Sequence, residues 1–208
     1  MTSLTQQSGD LFAMLPAIDA AANARLHDRL VARAERADVL DVAYRTIDTS
    51  VGRLLLAATS RGLVRVAYAC EDHERALAEI AARVSPRILK ATWRLDAATR
   101  EIDEYLAGDR RRFDLPLDFS LSRGFRRDVL KLLRRIAYGR TASYASIAAA
   151  AHSPRAVRAV GTACATNPLP LVVPCHRVVR SDGTIGQYAG GAGVKKMLLA
   201  MEGAPASR

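Results

Sequence analysis

The hydrophobic period of the chain changes at Val42, and that change restricts the possible folds more than any other feature. Val42-Ala43-Tyr44-Arg45-Thr46-Ile47, Arg53-Leu54-Leu55-Leu56-Ala57-Ala58 and Leu63-Val64-Arg65-Val66-Ala67-Tyr68 are short apolar-rich runs. Thr49-Ser50-Val51-Gly52 and Ser60-Arg61-Gly62 separate them. Runs of this length between turn residues read as strands, and connections this short make an antiparallel meander the economical topology. Helical spacing follows. Leu77, Ile80 and Val84 share one side of a helix over Glu71 to Val84, and Ile102, Tyr105 and Leu106 share one side of another over Ala97 to Leu106. Sheet plus helices predicts an α+β domain over 41–108. Before it, Leu26, Leu30, Val31 and Ala34 fall on one face between Arg25, Arg29, Arg33 and Arg36, which predicts a helix from about Ile18 to Ala37 within an N-terminal extension, 1–40.

A charged, proline-containing stretch, Gly108 to Asp118, predicts a linker at 109–120 and a second domain at 121–208. There Phe125, Val129, Leu132, Leu133 and Ile136 mark a helical face that ends near Gly139. Thr141-Ala142-Ser143 is expected to cap a short helix, Tyr144 to Ala151. A third helix is expected to start near Pro154 and run to about Asn167. Two short helices around a tight turn, the second small and basic, have the layout of a helix-turn-helix.

The net charge of +10, from 31 Lys and Arg against 21 Asp and Glu, is the electrostatic footprint of a chain that meets a polyanion, with nucleic acid first. Three cysteines, at 70, 164 and 175, are an odd number without paired spacing, which argues for a reducing compartment. With no signal-peptide pattern and no apolar run long enough to span a bilayer, a cytoplasmic protein with no membrane contact is expected. Cys70-x-x-His73 lacks a second cysteine pair and has only His27 as an obvious third ligand, so no metal is assigned.

Near the C-terminus, Leu171-Val172-Val173-Pro174-Cys175-His176-Arg177-Val178-Val179 sets a cysteine beside a histidine on an apolar run. The run predicts a short buried strand that ends at Pro174 and leaves Cys175 at its end. A buried thiol is inert unless something takes its proton or lowers its pKa, and a histidine next to an arginine can do so. The other reading of Cys175 alone, a small core residue, stands beside the catalytic one.

Pro174-Cys175-His176-Arg177-Val178, preceded by Arg158-Ala159-Val160-Gly161 and Asn167-Pro168-Leu169-Pro170, resembles the active-site segment of the O6-alkylguanine-DNA alkyltransferases, also called methylated-DNA-protein-cysteine methyltransferases. The likeness runs from about Phe125 to Gly203 and includes Ile136 to Tyr144, Arg180-Ser181-Asp182-Gly183 and Leu198 to Gly203. The meander is similar to the start of the family's ribonuclease-H-like N-terminal domain, followed by a mostly helical domain with a helix-turn-helix and the active-site strand and loop.

The resemblance implies single-turnover DNA repair. A double-stranded partner carrying O6-alkylguanine has the lesion rotated out, and Cys175 takes the alkyl group irreversibly, with no cofactor. His176 would act through a water, with Glu202 orienting its imidazole. Tyr144 would protonate the departing purine, and Asn167 would tie the second helix to the active-site segment. Arg158 would fill the space of the extruded base, with Tyr144, Ala159 and Gly161 completing the DNA contact. Pro170 and Tyr188 would wall the alkyl group, Cys164 would lie over the base, the Ala189 amide would face O6, and the carbonyls of Cys175 and Val178 would accept from the exocyclic amine. Gly191-Ala192-Gly193 suggests a mobile pocket rim. Against this stand a non-catalytic binder of alkylated bases, a regulator that reads DNA and senses alkylation, and a cysteine hydrolase. The binders of that first class lack the cysteine, no zinc-cysteine cluster marks the second, and no oxyanion-hole signature marks the third. Protein partners, oligomeric state, the range of alkyl groups and the choice between O6-alkylguanine and O4-alkylthymine stay open.

Overall fold

The computed structural model describes residues 19–204. The segment up to Val39 and the segment from Leu40 onward are separate units. In the first, α1 (Ala20–Arg36) begins at Asp19, whose carboxylate accepts from the Ala21 amide, and ends with Arg33 and Arg36 in its last turn, where cations complement the helix dipole. The start of the expected extension, 1–18, lies outside the described residues.

The second unit opens on a sheet in the order β3-β2-β1-β4. β1 (Val42–Thr49), β2 (Gly52–Thr59) and β3 (Gly62–Tyr68) form the expected antiparallel meander. Gly52, at φ +96°, makes the tight first turn, where few residues other than glycine are at ease. β4 (Ile88–Lys90), parallel to β1, was not expected, since three residues after Ser85-Pro86 are too few to show a period. Leu54 through Ala58 are all buried, so the sheet is covered on both faces. Leu55 and Ala57 pack with Ala76 and Ile80 of α2 (His73–Arg83), while Leu54, Leu56 and Ala58 share a core with Ala98, Ile102 and Tyr105 of α3 (Asp96–Ala107).

That second core runs without a break into the C-terminal half, through Val129, Leu133, Val160, Leu169, Val173, Cys175 and Leu198. The expected linker is correspondingly held in place. Leu63 N–H donates to Pro116 O at 2.9 Å, Asp118 N–H donates to Leu63 O at 2.8 Å, and the buried Asp118 carboxylate accepts from Thr59 and Arg61.

The C-terminal half holds α4 (Gly124–Leu133), β5 (Ala142–Ser143), α5 (Tyr144–Ala150), α6 (Val157–Ala165), β6 (Val178–Val179) and α7 (Gly191–Met201). Ser143 caps α5 by accepting from Ser146 N–H at 3.0 Å. α5 and α6 pack together, with Pro154 in the turn between them rather than in α6. Gly191 and Gly193 lie in the first turn of α7, so the rim expected there to be mobile is helical.

The predicted strand over Leu171-Val172-Val173 does not form, because Pro168, Pro170 and Pro174 remove three amide donors from seven residues. The run folds instead into two γ-turns. Val172 N–H donates to Pro170 O around Leu171, at φ +74°, and Cys175 N–H donates to Val173 O around Pro174. Cys175–Arg177 then form a 3-10 turn, and β6 follows, parallel to β5.

Candidate active site

Cys175 leaves the second γ-turn almost wholly buried, at 3% exposure. Asn167, two residues past the end of α6, reaches across the run: its Nδ2 donates to Val173 O at 2.9 Å and to Cys175 Sγ at 3.2 Å, and its Oδ1 accepts from Leu169 N–H at 3.0 Å. One side chain thus fixes the turn and touches the thiol. Burial pushes that thiol up to about 11, against the pull of Asn167 and of the Lys195 ammonium, so at neutral pH Cys175 is a protonated thiol. A nucleophile in this state needs a base.

His176, fully buried, faces the neighbouring carboxylate of Glu202, the residue that ends α7. Its Nε2 lies 3.0 Å from Glu202 Oε1 and 3.2 Å from Tyr105 Oη, and the Tyr105 hydroxyl itself donates to Glu202 Oε1. An ionised carboxylate only accepts, so Nε2 carries the proton and Nδ1 keeps a free lone pair. Nδ1 is buried and finds no hydrogen-bond partner among the described residues. Burial lowers the imidazole pKa despite Glu202, so the ring is a neutral base at pH 7.

Glu202 is held from every side. Arg177 Nε and Nη2 donate to it at 2.8–3.1 Å, and Gly139 N–H donates at 3.2 Å. Burial raises its carboxyl, but the bonds from His176 and Arg177 outweigh that and hold it at about 2. Arg177 Nη1 also donates to Ile136 O at 2.7 Å, which ties α4's exit to the turn that carries the thiol.

Around this centre, Tyr188 presents its ring edge-on to His176 at 6.0 Å, and Pro170 is buried. The half-buried Tyr144 starts α5, its hydroxyl packed so closely on Gly186 that a Cβ there would lie 2.4 Å away, and burial pushes that hydroxyl up to about 12. Cys164 is buried on α6, and burial pushes its thiol up to about 12. Arg158 and Ala159 are exposed on α6; Arg158 and Gly161 line, with Tyr144 and Arg180, a cleft of about 480 Å³. The Val178 carbonyl accepts from Lys195 Nζ at 2.6 Å, and the Ala189 carbonyl accepts from the Cys70 thiol at 3.3 Å. The structure therefore sets Asn167 on Cys175, and Glu202 and Tyr188 on the adjoining His176, while Arg158, Ala159 and Gly161 stand on α6 at the outer side. No group of three or more metal-ligating side chains clusters among the described residues.

Sequence reasoning missed two members, Tyr105 and Lys195, and misplaced a third. Tyr105 sits on the apolar face of α3, where any tyrosine reads as core. Arg177, expected to act on the thiol, is turned instead onto the buried Glu202 carboxylate. Lys195 lies three and four residues before Leu198 and Leu199 on one helical face, which marks it as the inward lysine of the Lys195-Lys196 pair.

Residues 42–119 match the family model for the ribonuclease-like domain of 6-O-methylguanine DNA methyltransferase, and 124–204 match the model for its DNA binding domain. The chain belongs to the 6-O-methylguanine DNA methyltransferase family. It is 39% identical over 160 residues to the constitutive methylated-DNA–protein-cysteine methyltransferase of Bacillus subtilis, which covers 76% of this chain and 94% of that protein. With the Mus musculus enzyme it shares 57% identity over 83 residues, 39% of each chain. Its fold superposes on Mycobacterium tuberculosis OGT, solved in complex with DNA, with a TM-score of 0.65, at 34% identity and with 79% of this chain and 96% of that one covered. As a methyltransferase of this family, the chain repairs DNA by transferring an alkyl group to its own cysteine. DNA is its substrate. No helix among the described residues is long and apolar enough to cross a membrane.

Within this methyltransferase, Lys195 has a measurable part. It is fully buried, and its cation is one of the pulls that keep the thiol from rising further. Lys195→Met removes that charge and leaves the Val178 carbonyl without its donor, at a cost of about 1–3 kcal/mol. The pKa of Cys175 is expected to rise in the variant, read from the pH dependence of its alkylation by a small reagent.

Proposed function

We propose that Cys175 is the acceptor and that His176 is its base, acting through a bridging water. The observation that carries this reading is the buried Nδ1 of His176, whose lone pair has no partner among the described residues while Nε2–H is fixed on Glu202. The thiol proton passes to the water, which gives a proton to Nδ1; Glu202 stabilises the imidazolium that results. The sulfur attacks the alkyl carbon, the carbon–O6 bond breaks, and its electron pair goes to the purine. Tyr144 donates its proton to the ring as this charge builds. The product is a thioether, which water does not release, so each protein acts once.

The target is O6-alkylguanine extruded from duplex DNA, with O4-alkylthymine as the second candidate. Extrusion costs a few kcal/mol, least where the pair is already damaged, and Arg158, exposed on α6 at the mouth of the cleft, occupies the place of the lost base. Asn167 is a positioning residue that holds the thiol and its turn together. The chain works in the cytoplasm as two domains, 41–108 and 121–208, joined by 109–120. A binder without chemistry is the alternative, and the presence of a thiol with a base beside it favours transfer.

Intact-protein mass spectrometry after incubation with a duplex containing one O6-methylguanine tests this. Wild type is expected to gain one methyl group in place of a proton, saturating at one per chain and mapping to Cys175, with no gain in Cys175→Ser. Tight binding without mass gain, or an adduct on Cys70 or Cys164, contradicts it.

A further inference from the structure

The substrate side of the site is held by the N-terminal sheet. Tyr68 ends β3, only 2% exposed, and its hydroxyl lies 2.9 Å from the hydroxyl of Tyr188, with the two rings edge to face at 5.7 Å. The same ring fills the space over Gly190, where a Cβ would come within 2.8 Å of it. Two residues further along, the Cys70 thiol donates to the carbonyl of Ala189. Three consecutive rim residues, Tyr188, Ala189 and Gly190, are thus each met by the segment that closes β3.

That segment is itself braced. Glu71 Oε2 accepts from Tyr68 N–H at 2.9 Å, and its other oxygen is paired with Arg65 at 3.0 Å, both partners mostly buried. A push on Tyr188 is therefore resisted by a fixed turn. Tyr188 in turn lies edge-on to His176, so its ring position is set between Tyr68 and the base.

We propose that Tyr68 is a specificity-determining positioning residue, which fixes the Tyr188 ring and so sets how large an alkyl group the pocket admits. The inference rests on the reading that Cys175 is the acceptor and that Tyr188 walls the alkyl group. A hydroxyl pair buried on both sides leaves either ring with an unsatisfied group when the other hydroxyl is removed. The ring then leaves its fixed position, and the wall yields to a bulky group, whereas a methyl group never reaches the wall.

Tyr68→Phe, which keeps the ring, tests this with single-turnover transfer from two duplexes of one sequence, carrying O6-methylguanine or O6-benzylguanine. The benzyl-to-methyl rate ratio is expected to rise roughly fivefold, the scale of one buried hydrogen bond, with the methyl rate changed by less than about twofold. Tyr188→Phe and the double variant complete a cycle, and the double variant, which leaves no hydroxyl unsatisfied, is expected to show a ratio shift no larger than that of Tyr68→Phe rather than a sum. An unchanged ratio in Tyr68→Phe, an equal fall in both rates, or additive shifts in the double variant overturns the proposal. If wild type places neither alkyl group on Cys175, the underlying reading fails instead, and the mass measurement separates the two failures.

Discussion

Glu202→Gln is expected to lose about 3–5 kcal/mol of stability, because it strips the charge from one side of a buried ion pair and leaves the Arg177 guanidinium without a counter-charge. The carboxylate also receives Tyr105, His176 and Gly139, so the amide would meet donors with a donor of its own. Chemical denaturation checks the magnitude. The pH dependence gives a second signature. The carboxyl of Glu202 is held at about 2, below its ordinary 4.5, so its stabilisation is fully present above about pH 4.5 and is lost as pH falls toward 2. The Gln variant should lose that part of the acid transition. An acid transition identical in both proteins would remove Glu202 from the account of folding.

His176→Gln is expected to slow alkyl transfer about 10²–10⁴-fold, the usual worth of a positioned general base. Glu202 retains Arg177, Tyr105 and Gly139 in that variant, so binding of the methylated duplex should persist while chemistry fails. The contrast with Glu202→Gln is informative: one change strikes the proton path, and the other strikes the path and the frame that bears it. Transfer at the wild-type rate in His176→Gln would show that the thiol finds its base elsewhere.

The long helices and the meander were legible because their apolar residues repeat at one period over many residues. Val42 to Tyr68 holds three apolar-rich runs between clear turns, and Phe125 to Leu133 keeps a single helical face. β4 and the γ-turns at Leu171 and Pro174 were not legible, for different reasons. β4 is too short to carry a period. The run Leu171-Val172-Val173 has strand composition, but its backbone is governed by three flanking prolines and by the side chain of Asn167, none of which an apolar count registers. That correction alters the chemistry only slightly: on the 3-10 turn the imidazole is bonded to Glu202. At the site, Asn167, His176 and Glu202 came from ordered motifs, while Tyr105, Lys195 and the pairing of Tyr68 with Tyr188 depend on elements far apart in the chain being packed together. Such contacts leave no local pattern.

The central claim is that a protonated, buried thiol is activated by a neutral imidazole. Single-turnover transfer from an O6-methylguanine duplex, measured from pH 5 to 9, tests it most directly. A rate that is flat through neutral pH and falls only on the acid side, below the ordinary histidine value of 6.5 as His176 takes a proton, is the predicted result. A rate that climbs tenfold per pH unit toward the thiol's own value of about 11 would mean that Cys175 ionises unaided, and would contradict it.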